Sequence, residues 1–228
     1  MGTWRITSDP TGTREERWRE LPRPVISEMS GPEKYIADES LLEAINTAIY
    51  LGQPLLVTGE PGCGKTEIGD FVAWKLGLDR AIRFDTKSTT IARDLFYSFD
   101  TIARFHAAYE AKGSIDPLQF ITFHALGRAI LLANPSNDVM DLMARHPGQR
   151  RSVVLIDEID KAPRDVPNDL LVEIDKLQFY VTELARTVVA ANTMRPIVVF
   201  TSNSERGFPM LSCVDASITI CPFQTMLD

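Results

Sequence analysis

The chain has 228 residues, 44% hydrophobic and 24% charged, with 24 Lys+Arg against 31 Asp+Glu and a formal net charge of −7. That composition excludes a disordered or collagen-like chain and gives no support for holding nucleic acid by phosphate neutralisation. Three cysteines, Cys63, Cys213 and Cys221, form neither a disulfide framework nor a C-x-x-C zinc pattern. Met1 to Trp18 is polar, and no apolar run approaches the roughly 20 residues that span a bilayer. The chain is therefore expected to be cytoplasmic, with no membrane partner.

Residues 1–34 contain Pro10, Pro22, Pro24 and Pro32 and little apolar periodicity, so they read as an arm or linker on which Trp4 and Trp18 could dock. Ser40-Leu-Leu-Glu43 has capping-box spacing, and Leu41, Ile45, Ala48 and Ile49 follow at helical intervals up to Gly52. Pro54 to Thr58 is a short apolar run suited to a buried parallel strand. A helix is expected from Thr66 to Leu76, stopped by Gly77, then a strand from Ala81 to Asp85. From Ile91 the residues Leu95, Phe99, Ile102, His106 and Tyr109 recur at three- and four-residue steps, which predicts one helix up to Gly113. On that spacing Phe96, Tyr97, Phe99 and Phe105 read as core residues. Further on, Ala125–Ala133 predicts a helix and Val153–Ile156 a strand. A helix is marked by Leu170, Leu171, Ile174 and Leu177, and a strand by Ile197–Thr201. Strands alternating with helices predict an α/β fold, a parallel sheet covered by helices on both faces. That domain is expected to span residues 35–209, with 210–228 as an atypical tail. His106, His124 and His146 show no ligand spacing.

The chemistry concentrates in three places. Gly59-Glu60-Pro61-Gly62-Cys63-Gly64-Lys65-Thr66 matches G-x-x-x-x-G-K-[ST] in full, after an apolar strand and before a helix. The glycines let backbone N–H groups curl around phosphate oxygens, and the helix start adds its positive dipole end. Lys65 would reach the β- and γ-phosphates, and the Thr66 hydroxyl would ligand Mg²⁺. Val153 to Ile156 runs into Asp157 and Glu158. Asp157 would hold Mg²⁺, and Glu158 would orient or deprotonate an attacking water. Alternatively, Asp157, Glu158, Asp160 and Lys161 form a solvated loop. Ile197 to Thr201 ends in Ser202-Asn203, whose amide could contact both the γ-phosphate and the water, or could simply make a turn. Cys63 reads as a small residue tolerated in the loop, with a thiol switch as the alternative.

These elements, in this order, resemble the AAA+ ATPases. The wording "QPLLVTGEPGCGKTEI", "LIDEIDKAPRDVPNDLLVEID" and "VVFTSNSER" resembles their MoxR-like branch. The resemblance implies a P-loop NTPase fold in which Gly59–Thr66 is the Walker A loop, Asp157 and Glu158 are the Walker B acids, and Asn203 is sensor 1. It implies ATP and Mg²⁺ as ligands, a ring-forming homo-oligomer with an arginine supplied in trans, and remodelling or activation of a client protein. Residues between Phe99 and Gln119 then correspond to an insertion aimed at a central pore. The alternatives are a subunit that binds ATP without turnover and, against the charge balance, a nucleic-acid motor.

The tail departs from that pattern. Where the MoxR-like pattern continues approximately Asp-Ala-Phe-Leu-Arg-Arg-Cys-Val-Tyr-Tyr-His and carries the arginine finger, this chain reads "MLSCVDASITICPFQTMLD", with no Arg or Lys after Arg206. Codons exist for this tail that, read one base earlier, encode that whole run followed by Met-Pro-Phe-Pro. The tail is therefore expected to be out of frame from about Met210, leaving the trans arginine and helical lid absent. In the alternative, a diverged tail, Ile218 and Ile220 could form an edge strand by alternation. Sequencing the coding DNA across Pro209–Met210 should reveal a single-base change that opens a frame encoding Phe-Leu-Arg-Arg, and its absence would remove the frameshift.

Overall fold

A computed structural model describes residues 31–110, 115–163, 165–203 and 218–220. The expected arm up to residue 30, with Trp4 and Trp18, and the tail other than 218–220 lie outside the described residues. In chain order, α1 (Glu39–Leu51) leads into β1 (Leu55–Thr58), α2 (Ile68–Lys75) and β2 (Ile82–Asp85). An excursion follows, made of β3 (Tyr97–Phe99), α3 (Thr101–Glu110) and β4 (Ile121–Phe123). The chain continues through α4 (Ala125–Leu132), the short α5 (Ser136–Val139), β5 (Val153–Asp157) and α6 (Val166–Lys176). It ends with a hairpin of β6 (Gln178–Val181) and β7 (Arg186–Val189), then β8 (Ile197–Ser202) and β9 (Ile218–Ile220).

The apolar runs form the sheet, in the order β2-β5-β8-β1-β9. Strands β2, β5, β8 and β1 are parallel, with Ile156 opposite Phe200 and Leu55 opposite Val199. Every residue of β5 and β8 is buried, as expected of parallel strands covered on both faces. On one face α1 and α2 pack Leu41, Ile45, Ile68, Phe71 and Val72 against Leu55, Leu155 and Val199. On the other, α4 and α6 pack Leu126, Ile130, Leu170 and Ile174 against Val154, Ile156 and Val198. The expected α/β sandwich is what forms. Among the described residues, no helix is long and apolar enough to cross a membrane.

Several expectations need correction. The sheet is not wholly parallel: the edge strand that Ile218 and Ile220 offered by alternation forms as β9, antiparallel to β1, with Leu55 opposite Ile220 and Val57 opposite Ile218. The first helix is capped by Asp38 and not by a Ser40–Glu43 box: Asp38 Oδ1 accepts from Leu41 N at 2.7 Å and from the Ser40 hydroxyl at 2.9 Å. The helix predicted from Thr66 begins as a 3-10 turn over Lys65–Glu67. It does end at Gly77, in the left-handed region, where Leu78 N donates to Ala73 O and Gly77 N to Trp74 O.

The single helix predicted from Ile91 to Gly113 does not exist. Leu95, Phe96 and Tyr97 are buried in succession, which no single helix face permits. The chain instead makes a 3-10 turn, pairs Tyr97 with Phe123 and Phe99 with Ile121, and restarts as α3 at Thr101. Phe105, read as core, is 70% exposed. This excursion is pinned close to α4, because a Cβ on Gly127 would lie 2.1 Å from the Phe96 carbonyl oxygen. His124 Nε2 hydrogen-bonds Ser98 Oγ, and His146 is bonded to the Leu131 carbonyl of α4, the Ser136 hydroxyl of α5 and the Gly148 N–H, so both have structural partners.

Before the N-terminal ends of β1 and β8 Arg195 joins two helix ends. Its Nε donates to Gly52 O at 3.0 Å, after α1, and its Nη2 donates to Asp175 O at 2.8 Å and Ile174 O at 3.3 Å, in α6. A cation there satisfies terminal carbonyls and complements two dipoles. Burial pulls the Arg195 guanidinium pKa below its ordinary value, with Asp175 opposing. Arg195→Ala should lower stability by about 2 kcal/mol, with Arg195→Lys recovering only part, because an ammonium cannot fork between both ends. Urea denaturation midpoints measure this.

Candidate functional site

The loop from Gly59 to Thr66 begins where β1 runs out, between strand and helix. Gly62 and Gly64 sit at φ +84° and +86°, a region only glycine enters without strain. Such turns fold successive backbone N–H groups toward one side, the nest geometry that receives anions. Glu60, Pro61, Gly62 and Cys63 are exposed at the tip of the loop. Its base is closed, since a Cβ on Gly59 would lie 3.2 Å from Cys63 Sγ. Lys65 is 8% exposed, and its Nζ donates to the Gly59 and Glu60 carbonyls at 2.7 Å each. The ammonium is thus held within the loop, 3.6 Å from Cys63 Sγ.

Asp157 is the last residue of β5 and is 7% exposed. Its carboxylate collects partners from three other elements. Thr66 Oγ1 donates to Oδ2 at 2.9 Å across 91 residues of sequence. Arg83 Nη2, from β2, donates to the same oxygen at 3.1 Å. Thr201, from β8 and fully buried, donates its hydroxyl to Oδ1 and accepts the Glu158 backbone N–H at 2.9 Å.

Glu158 leaves the strand in the left-handed conformation, φ 53° and ψ 48°. The two acids therefore separate through a backbone reversal as well as strand alternation. Glu158 Oε1 accepts from Asn203 Nδ2 at 3.4 Å, and Oε2 pairs with Lys161. Asn203 N donates to Asp160 Oδ1 at 3.1 Å. The Glu158 carboxylate raises the pKa of Lys161 above its ordinary value, chiefly through their hydrogen bond. Asp160 and Lys161, read as a solvated loop, thus hold Asn203 and Glu158.

The structure brings Lys65, Thr66, Asp157, Glu158 and Asn203 to the C-terminal ends of the parallel strands. Thr66 Oγ1 and Asp157 Oδ2 are two hard oxygens side by side, a donor set that fits Mg²⁺, which takes few protein ligands and completes its shell with water or phosphate oxygens. A cleft of about 500 Å³ beside the loop is walled by Tyr35, Ile36, Gly62 and Gly64. Tyr35 packs on Phe71 with ring centroids 4.9 Å apart, and burial raises its pKa. Sequence reasoning missed Tyr35, Arg83 and Thr201. For Arg83 a signal existed, a cation in a strand whose outward positions alternate with Ile82 and Phe84.

A parallel sheet with a glycine-rich loop after one strand, and a carboxylate at the end of another, defines the P-loop class of nucleotide-binding α/β proteins. The model of the AAA domain (dynein-related subfamily) matches residues 54–218, and the chain belongs to that family. No curated protein matches the chain. A solved structure of a candidate ATPase from Cytophaga hutchinsonii is similar at 17% identity and a TM-score of 0.44, over 82% of this chain and 45% of that one. The chain thus spans about half the length of that protein.

Thr201→Val keeps the volume but leaves Asp157 Oδ1 and the Glu158 N–H without their partner. It should cost about 1–3 kcal/mol, read from chemical denaturation, whereas Thr201→Ser should lie close to the parent.

Proposed function

We propose that the chain binds Mg²⁺-ATP at the Gly59–Thr66 loop and hydrolyses it, as a MoxR-like AAA+ module that remodels or activates a partner protein. The observation that carries this reading is the 2.9 Å contact between Thr66 Oγ1 and Asp157 Oδ2, with the Glu158–Asn203 pair beside it. Gly59, Glu60, Gly62, Cys63 and Gly64 would wrap the phosphates through backbone N–H groups, Pro61 having none to give, and Lys65 would supply a charge to the β- and γ-oxygens. Thr66 and Asp157 would hold Mg²⁺, whose role is to neutralise charge on the phosphate oxygens. Glu158 would take the proton of the attacking water, with Asn203 and Lys161 fixing its carboxylate. The Asn203 amide is suited to orient that water and to donate to the γ-phosphate. The cleft at Tyr35 and Ile36 offers an apolar wall to a base.

The MoxR-like assignment rests on the wording of the three motifs. A ring-forming homo-oligomer and a protein client follow from that branch. The excursion between β3 and β4 supports a client-facing insertion, because Ile102, Phe105 and Tyr109 form an exposed apolar stripe on α3. The second reading, a subunit that binds ATP without turnover, is favoured by the sequence after Arg206, which holds no Arg or Lys where the family pattern carries its arginine finger. Such an arginine is worth roughly 10³–10⁵ in rate.

Lys65→Ala should weaken ATP binding by roughly tenfold to hundredfold. Glu158→Gln should bind ATP like the parent and lose turnover by roughly 10²–10⁴. Calorimetric binding and phosphate release measure these. Turnover at the parent rate by Glu158→Gln refutes the assignment of the water-activating acid, and a parent that binds ATP without phosphate release selects the second reading.

A further inference from the structure

Arg83 touches the site through Asp157 and has no role in the reading given above. Arg83 lies on β2, the edge strand, where Ile82 and Phe84 turn into the core and Arg83 and Asp85 turn outward. The register sets Arg83 opposite Leu155 and Asp85 opposite Asp157, so Arg83, Asp85 and Asp157 share one face at the end of the sheet. Arg83 Nη2 lies 3.1 Å from Asp157 Oδ2 and 3.6 Å from Asp85 Oδ1. The two carboxylates differ in setting, since the side chain of Asp157 is 10% exposed and that of Asp85 is 76% exposed. The oxygen that Arg83 contacts is also the one that accepts the Thr66 hydroxyl.

We propose that Arg83 is an exchangeable counter-ion of the divalent-cation site: it neutralises Asp157 when no metal is bound and transfers to Asp85 when one is. This inference rests on the assignment of the metal to Thr66 and Asp157. A buried carboxylate without a cation is costly, and Arg83 supplies that charge from a side chain 42% exposed, free enough to swing. A divalent cation at Oδ2 repels a guanidinium at 3.1 Å, and Asp85 is the nearest alternative acceptor for it. Arg83 thus weakens metal affinity by competition, and Asp85 limits that competition by offering a second seat. The exchange moves charges only. No bond is made or broken.

The test is an EPR-detected Mn²⁺ titration of the full chain saturated with ADP, with thermal melts alongside. Arg83→Gln should tighten Mn²⁺ about fivefold, since a competing unit charge is removed at a partly solvated site. Arg83→Lys should stay close to the parent. Asp85→Asn should weaken Mn²⁺ about threefold in the parent, and by much less in the Arg83→Gln background, because its effect runs through Arg83. An unchanged or weaker affinity in Arg83→Gln overturns the proposal, as does an Asp85→Asn effect that is equal in both backgrounds. Asp157→Asn separates the two claims. If it abolishes Mn²⁺ binding while Arg83→Gln changes nothing, only the counter-ion role fails. If it leaves Mn²⁺ binding intact, the metal assignment and the counter-ion role fall together.

Discussion

A carboxylate at the end of a fully buried strand must be partnered, and Asp157 imposes that requirement on the rest of the fold. It is satisfied only because three other elements bring donors to the same point: Thr66 at the start of the helix after β1, Thr201 on β8 and Arg83 on β2. Each donor depends on the register of the parallel ladders. A slip of one residue in β5 against β8 would send Asp157 to the opposite face and strand Thr201 in the core. The alignment that buries Ile156 and Phe200 is therefore the alignment that builds the site.

Glu158 shows how neighbouring positions are given opposite duties. A left-handed non-glycine residue costs on the order of 1 kcal/mol or more, so the conformation has to be held from outside. Thr201 Oγ1 holds the Glu158 N–H, and Ile159, 1% exposed, drives its side chain into the core immediately afterward. With the backbone reversed between a pinned amide and a buried isoleucine, the Glu158 side chain is left facing Asn203 and Lys161. A single hydroxyl, that of Thr201, fixes both acids, one through its proton and one through its lone pair.

Much of this was legible in the sequence where local chemistry decides the structure. Strands β1, β5 and β8 are short apolar runs because both faces are covered, and the phosphate loop is marked by glycines that must adopt positive φ. The helix stop at Gly77 is equally local. What was illegible depends on partners distant in sequence. Tyr97–Phe99 carries a helical period by coincidence and becomes a strand because Ile121–Phe123 arrives to pair with it. Asp38 displaces Ser40 as the cap although both are good capping residues, because the helix starts one residue before Ser40. Arg83 looks like an ordinary outward cation until the β2–β5 register places Asp85 beside Asp157. The hairpin of β6 and β7 went unpredicted; its strands, from Phe179 to Val188, join the same core as α4 and α6.

The excursion between β3 and β4 obeys a different balance. Helix α3 buries no residue, and a ten-residue helix standing alone is marginal in water. It is held from its base. Asp100 Oδ1 accepts from Ala103 N, Asp100 N donates to Phe120 O, and Phe99 packs edge-on against Phe120 with the Arg104 guanidinium over its ring. The two-stranded ladder below it is tied to α4 by His124, which bonds Ser98 and packs edge-on against Phe84 of β2. Strand β2 therefore touches His124, next to the ladder, through Phe84 on one face and Asp157 through Arg83 on the other. Packing at native density does not let a strand shift while both contacts stay as they are. The edge strand thus contacts the site on one face and, on the other, the residue that bonds the base of the excursion.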